Sequence, residues 1–301
     1  MKLFVARIVV FLGIMIIPLL LLSSYVYYAN SKLIKNYKIG SKVSIIVIGD
    51  SHTQKAINDN YLPDAINLSQ SSECILYSFV KLQTILKTNP NIKTVLLGCG
   101  YNSFSSYYDE FIYGTYSAEV SSRYFFVMPD SLKMKFIYFN RNTLSKYLKK
   151  IVSNGITNLR VSPLDYSFLG RFETYSTIVK LSRETVNKRI ETQYYSDRKL
   201  DDFSLLNILY FRKVIDLCKK RNVRLIIIHT PSHKFYIDNV PGKFKARYDS
   251  LIKESKISAI EFNDLLLPDS CFLPDGDHVT DYGAKLTTLY LADYLKKQEL
   301  R

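Results

Sequence analysis

Two short stretches of this chain carry side chains that could do acyl chemistry. The first reads Val47-Ile48-Gly49-Asp50-Ser51-His52, an apolar run that breaks at Gly-Asp-Ser. Such a break is how a buried strand delivers a serine onto a tight turn. The second reads Pro274-Asp275-Gly276-Asp277-His278 and lies close to the C-terminus. A serine hydroxyl is a weak nucleophile at neutral pH and needs a base. His278 titrates in the right range for that task. Asp275, three residues earlier on a Pro-Asp-Gly turn, can hold the far ring nitrogen and fix the tautomer. Ser51, His278 and Asp275 are therefore read as nucleophile, base and orienting carboxylate. Asp277 is read as capping or solvent-exposed.

Two further runs lie between these stretches. Asp64-Ala65-Ile66-Asn67-Leu68-Ser69 is short and strand-like, and Thr94-Val95-Leu96-Leu97-Gly98-Cys99-Gly100-Tyr101-Asn102 ends in Gly-x-Asn. In order and content the four blocks resemble the SGNH (GDSL-like) hydrolase superfamily, in particular its membrane-anchored branch of envelope glycan O-acyltransferases and esterases. The resemblance covers roughly residues 43–102 and 222–297. It implies catalytic Ser51, Asp275 and His278. It also implies an oxyanion hole made by the N–H of Ser51, an N–H near Ser72 and the side chain of Asn102, and it calls for no cofactor. The second block departs from the pattern, because Ser72 stands where the family has a glycine. A backbone donor survives that change, but the close approach a glycine permits is put in question. His52 and Asn67 are read as substrate contacts, and His233 in Thr230-Pro231-Ser232-His233 as a pocket residue. The plain alternative for each histidine is a helix start or an exposed loop.

The elements that must position these groups follow from periodicity. Strands are expected near 43–48, 65–68, 94–98, 224–229 and 259–262, and helices near 73–88, 204–221, 243–255 and 281–297. The β-branched, nearly unbroken apolarity of 43–48 and 224–229 suits parallel strands covered on both faces. Alternating strands and helices predict a three-layer α/β domain, flavodoxin-like, with a parallel five-stranded sheet. Every candidate group falls just beyond a strand's carboxyl end, where open parallel sheets bind ligands.

Around this domain, composition describes an envelope protein. Ile8 to Ala29 runs without a charge and would span about 33 Å as a helix, enough for a bilayer core. Residues 1–30 are read as an uncleaved transmembrane signal anchor and 31–301 as the SGNH-like domain. Lys2 and Arg7 favour a cytoplasmic N-terminus, which places the domain on the extracytoplasmic side. Cys74, Cys99, Cys218 and Cys271 have no metal-like spacing, and Pro231 argues against His229 and His233 sharing a metal from one helix. No metal site is expected. The segment from about 104 to 202 is too long for a structureless loop and is read as a Tyr-rich helical insertion beside the site, helical from Leu132 to Ile151. Its residues 131–200 hold fourteen Lys/Arg and five Asp/Glu, whereas residues 43–130 hold five and eight. The basic surplus is read as a surface for an anionic polymer or lipid headgroup, presented in part to the Ser51 cleft, or else as a solvated helical face. No nucleic-acid module is visible.

The function these features favour is a serine esterase or O-acyltransferase acting on acyl groups of a cell-envelope polysaccharide, working with envelope biosynthesis partners. Two alternatives stay open. One is a catalytically inactive SGNH-like protein that binds glycan or organises a complex. The other is a lipid esterase at the membrane surface.

Overall fold

The computed structural model describes residues 1–160, 169–177, 180–262 and 265–299. A long helix, α1 (Lys2–Lys35), leads into β1 (Ile45–Ile48), α2 (Ser51–Ala56), β2 (Ala65–Asn67), α3 (Ile75–Thr88) and β3 (Thr94–Gly98). The insertion then supplies α4 (Ser117–Tyr124), α5 (Asp130–Phe139), α6 (Leu144–Arg160), α7 (Arg183–Tyr194) and a small hairpin of β4 (Tyr195–Ser196) and β5 (Lys199–Leu200). Its residues 161–168 and 178–179 lie outside the described residues. After it come α8 (Leu205–Lys220), β6 (Arg224–His229), α9 (Lys234–Asn239), α10 (Gly242–Ser255), β7 (Ser258–Glu261) and α11 (Asp281–Glu299).

Five strands form one parallel sheet in the order β2-β1-β3-β6-β7. This is the flavodoxin-like order, which reverses direction at β1 and β3. Successive strand residues point to opposite faces, and the two cores show it. Ile46, Ile48, Val95, Leu97, Leu225 and Ile227 feed one core, beneath α3, α8 and the end of α1. Val47, Leu96, Ile226, Ile228 and Ile260 feed the other, with Ala284, Leu291 and Leu295 of α11. The central strands β1, β3 and β6 have the near-continuous apolarity that burial on both faces needs.

Two features differ from the sequence reading. The expected helix over Leu132 to Ile151 is broken at Asn140, where α5 ends. The Asn140 amide donates to the carbonyl of Phe136 and to Ser117 Oγ, and one turn of 3-10 helix (Arg141–Thr143) separates it from α6. Asparagine competes for backbone groups in this way and favours helix ends. The insertion also divides in two. Helices α4 and α6 pack on each other, with α4 on α3 and α6 on α1, while residues 169–177 and α7 reach the strand-end rim. Lys146, Lys149 and Lys150 therefore belong to the part that packs beside α1, not to the part at the Ser51 rim.

Helix α1 is long and apolar enough to cross a membrane. No side chain before residue 26 is buried, whereas Val26, Asn30 and Ile34, spaced by four, are buried in the domain. The helix thus runs past residue 30 and its last turns belong to the core.

Candidate active site

The site begins with a tight passage from β1 to α2. Gly49 has φ +154°, and a Cβ there would lie 2.6 Å from Thr53 Oγ1. On the neighbouring strand, a Cβ on Gly98 would lie 1.6 Å from the same oxygen. The first turn of α2 can sit on the ends of β1 and β3 only because both residues lack a side chain. Asp50 caps α2, its Oδ1 accepting from the His52 N–H at 2.9 Å. Ser51 follows as the first helical residue.

Beyond β7, the chain folds back on itself before α11. Phe272 pairs with Val279, and Leu273 N–H donates to His278 O. Inside this turn Asp275 Oδ1 accepts the N–H groups of Asp277 and His278, at 3.1 and 3.2 Å. Its other oxygen meets His278 Nδ1 at 2.8 Å, and His278 Nε2 meets Ser51 Oγ at 2.8 Å. The three residues read from the sequence are thus one hydrogen-bonded chain across 227 residues of separation. Burial pulls Asp275 upward, but the hydrogen bond and charge of His278 outweigh it and hold the carboxyl below its ordinary range. Burial and then the charge of His52 push His278 below the ordinary imidazole value, against the pull of Asp275.

His52 has a different place from the substrate contact expected of it. Only 8% of it is exposed. Its Nδ1 lies 2.9 Å from Asp50 Oδ2, and its Nε2 lies 2.8 Å from Asp277 Oδ2, a contact of charge and proximity rather than an aligned hydrogen bond. Burial disfavours charge on the ring, but the carboxylates of Asp277 and Asp50 overcome it and raise His52 to about 10. His52 is therefore an imidazolium at neutral pH. Asp277, read from the sequence as capping or exposed, is 1% exposed. Arg189 Nε and Gln193 Nε2 of α7 donate to its Oδ2 at 2.7 and 2.8 Å. Tyr108 donates to Asp50 Oδ2 in a short hydrogen bond.

The remaining candidates divide. Ser72 has φ +65°, so the position where the family has glycine does adopt the left-handed backbone that favours glycine. Its loop is tied to β1 by Gln70 N–H to Gly49 O. Asn102 is buried, and its amide donates to Tyr108 OH at 3.1 Å. An amide NH2 has two hydrogens, so a second donor remains. Asn67 is buried and fastens the end of β2: its Nδ2 donates to Ile57 O and Thr53 O, and its Oδ1 accepts from Ser69 N–H. That gives it the contacts of a brace for α2. His233 lines a cleft of about 830 Å³ with Phe235, Phe262 and Phe272. Its N–H also donates to Gly276 O, which braces the Asp275 turn.

Sequence reasoning missed the second layer of Asp50, Tyr108, Arg189, Gln193 and Asp277. The spacing of Arg189 and Gln193 by four on one helix was the available signal, but nothing in it named Asp277 as their target. His52, Asp277 and His278 also gather their donor atoms within 4.8 Å. Each of the four imidazole nitrogens already faces a protein partner, and His52 carries a positive charge.

Beside Gln54 of α2 lies a polar cleft of about 210 Å³, lined by Gln54, Gln70, Gly170, Arg171 and Glu173. The insertion builds one wall of it. Gly170, at φ +115°, packs directly on the second-block loop, where a Cβ would lie 2.3 Å from Leu68 O. The N–H of Arg171 donates to Ser69 O, and Arg123 Nη1 to Ser71 O.

No protein-family model matches the chain, and no curated protein matches it. Among solved structures it is similar to a GDSL-like lipase from Bacteroides thetaiotaomicron VPI-5482, with 10% identity and a TM-score of 0.42 over 92% of this chain and 99% of that one.

Proposed function

We propose that this protein is a serine esterase or O-acyltransferase of the SGNH type, with Ser51 as nucleophile. The observation that carries the reading is the unbroken chain Ser51 Oγ–His278 Nε2, His278 Nδ1–Asp275 Oδ2, both links at 2.8 Å. Ser51 Oγ attacks the acyl carbonyl while His278 Nε2 takes its proton. The imidazolium then gives that proton to the departing alcohol, leaving an acyl-Ser51 ester. Water or an acceptor hydroxyl, deprotonated by the same nitrogen, attacks the ester and restores the serine. The N–H groups of Ser51 and Ser72 and the second amide hydrogen of Asn102 are the donors we assign to the oxyanion. Losing one such donor typically costs about 3–4 kcal/mol of transition-state stabilisation.

The polar cleft beside Gln54 supports a hydrophilic acceptor or donor, such as an acylated sugar, over a lipid chain. With a helix able to cross a membrane at its N-terminus, an acylated cell-envelope polysaccharide is the substrate class we favour. The test is turnover of an activated acetyl ester. Ser51→Ala should reduce kcat by about 10⁶-fold, to near background, and Asp275→Asn by about 10⁴-fold, on the scale of other Ser-His-Asp enzymes. Unchanged turnover in Ser51→Ala would remove the reading. Adding a sugar acceptor to the wild type then distinguishes transfer, seen as acetylated sugar, from hydrolysis, seen as acetate.

A further inference from the structure

The basic surplus of the insertion has its own address, apart from the Ser51 rim. Residues 131–160, which hold most of α5 and all of α6, contain seven Lys/Arg and no Asp/Glu; just outside the stretch, Asp130 pairs with Lys133 and Glu119 with Lys150. The same stretch exposes large apolar side chains, with Met134 65% and Leu148 47% exposed. Singly exposed apolar side chains are common on soluble proteins; beside a run of cations they make an amphipathic surface. An amphipathic surface meeting lipid headgroups has use for both, since the apolar groups enter the acyl boundary and the cations meet lipid phosphate.

The location of α5 and α6 fits that use. Helix α1 has 34 residues, about 51 Å, whereas a bilayer core takes about 30 Å. Its part without buried side chains ends just before Val26. Tyr25, Tyr27 and Tyr28 gather there, all exposed, and tyrosines collect at the headgroup level of membrane spans. Both helices touch α1 at this level. Lys133 of α5 donates to Tyr27 OH at 3.1 Å and lies over the Tyr27 ring at 5.1 Å. On α6, a Cβ on Gly155 would come within 2.4 Å of Val26. Asn158 donates to Asn30, one turn further into the domain. Helix α6 thus recedes from the span toward Arg160 and approaches it toward its N-terminal half, which carries Lys146, Leu148, Lys149 and Lys150.

We infer that α5 and α6 form a docking foot that rests on anionic phospholipid headgroups of the leaflet from which α1 emerges. The occupant follows from charge complementarity and from continuity with the membrane helix. The inference stands apart from the chemistry at Ser51 and rests on α1 spanning the bilayer.

The chain contains no tryptophan, so single-Trp reporters are unambiguous. Met134→Trp and Leu148→Trp, with Tyr195→Trp of the β4–β5 hairpin as control, would be placed in the full-length protein. Each would be reconstituted in nanodiscs of acyl-brominated lipid, either wholly phosphatidylcholine or mixed with phosphatidylglycerol. In the anionic discs the reporters at 134 and 148 should lose most of their emission and shift to the blue. The loss should shrink in neutral discs and when Lys146, Lys149 and Lys150 are changed to Gln, and the reporter at 195 should stay bright throughout. Emission at 134 and 148 that is unquenched in anionic discs would overturn the proposal, as would quenching indifferent to lipid charge. A response at these positions to a soluble polyanionic glycan but not to lipid would assign the surface to glycan and overturn it equally.

Discussion

The ring of His52 lies flat on the ring of His278, with centroids 4.6 Å apart and planes within 9° of each other. One ring is held positive between Asp50 and Asp277, and the other is the proposed base. A fixed cation stacked on a base disfavours a second proton there. The charged neighbours of His278 are Asp275 on its own turn, Asp277 beside it and His52 across the stack, with Ser51 at its Nε2.

This sets the pH dependence of turnover. The base works when neutral, and its lowered value keeps it neutral further into the acid range than a free imidazole. Changing His52 to Gln removes a positive charge and leaves two carboxylates nearby. Both effects raise His278, so the acid limb of kcat/KM should move to higher pH. His52→Lys, which returns a cation between Asp50 and Asp277, should bring the limb back down. A pH–rate profile of the three proteins checks this. An unmoved limb would mean that the stack carries no electrostatic coupling.

The same pair predicts how stability follows pH. The folded value of His52, about 10, lies above the ordinary 6.5, so the folded state holds that proton more tightly. Its contribution is fully present below pH 6.5 and is lost as pH rises through about 10. Burial pulls Asp277 and Asp50 upward, but the opposing charge of His52 leaves both below 3.8, so their contribution is present above that value and lost in acid. Thermal melts should therefore show a fall in Tm on the alkaline side in the wild type, and a flatter alkaline profile in His52→Gln.

Ser72 makes a backbone prediction. A non-glycine residue in the left-handed region costs roughly 1–2 kcal/mol, while glycine adds flexibility worth about 0.5–1 kcal/mol to the unfolded chain. Ser72→Gly should leave stability within about 1 kcal/mol of the wild type, with ester turnover retained. Ser72→Val, β-branched at positive φ, should lose both. Denaturant midpoints and turnover of the two variants test the assignment of this loop.

Lys81 is fully buried and ties the insertion to the same loop. Its Nζ meets Glu73 at 2.5 Å, donates to Leu169 O at 2.8 Å and makes a short hydrogen bond to Leu68 O. Glu73 in turn accepts from Ser78 and Tyr124. Removing one partner strands a buried charge, which typically costs about 3–5 kcal/mol. Lys81→Met should show that loss in urea unfolding of the detergent-solubilised protein, and adding Glu73→Leu should recover part of it. Equal stability of Lys81→Met and wild type would show that the pair is dispensable.

The sheet was legible in the sequence because its central strands β1, β3 and β6 are short apolar runs closed by turn residues, and burial on both faces leaves little freedom in what such a run can be. The places of Ser51, Asp275 and His278 were legible for a related reason. Gly-Asp-Ser at the end of one run, and Asp-x-x-His before the last helix, fix local geometry by themselves, and a parallel sheet brings all strand ends to one rim. Tertiary structure alone decided what faces those groups from elsewhere. Asp277 acquires Arg189 and Gln193 from a helix inserted 84 to 88 residues earlier in the chain. His52 becomes a buried cation only because Asp50 and Asp277 arrive on its two sides. The lysines of α6 looked like a substrate surface in composition. They lie beside α1 because Gly155 allows α6 to approach Val26 and because Asn158 and Asn30 pair. Net charge along a sequence carries no direction, and packing supplies it.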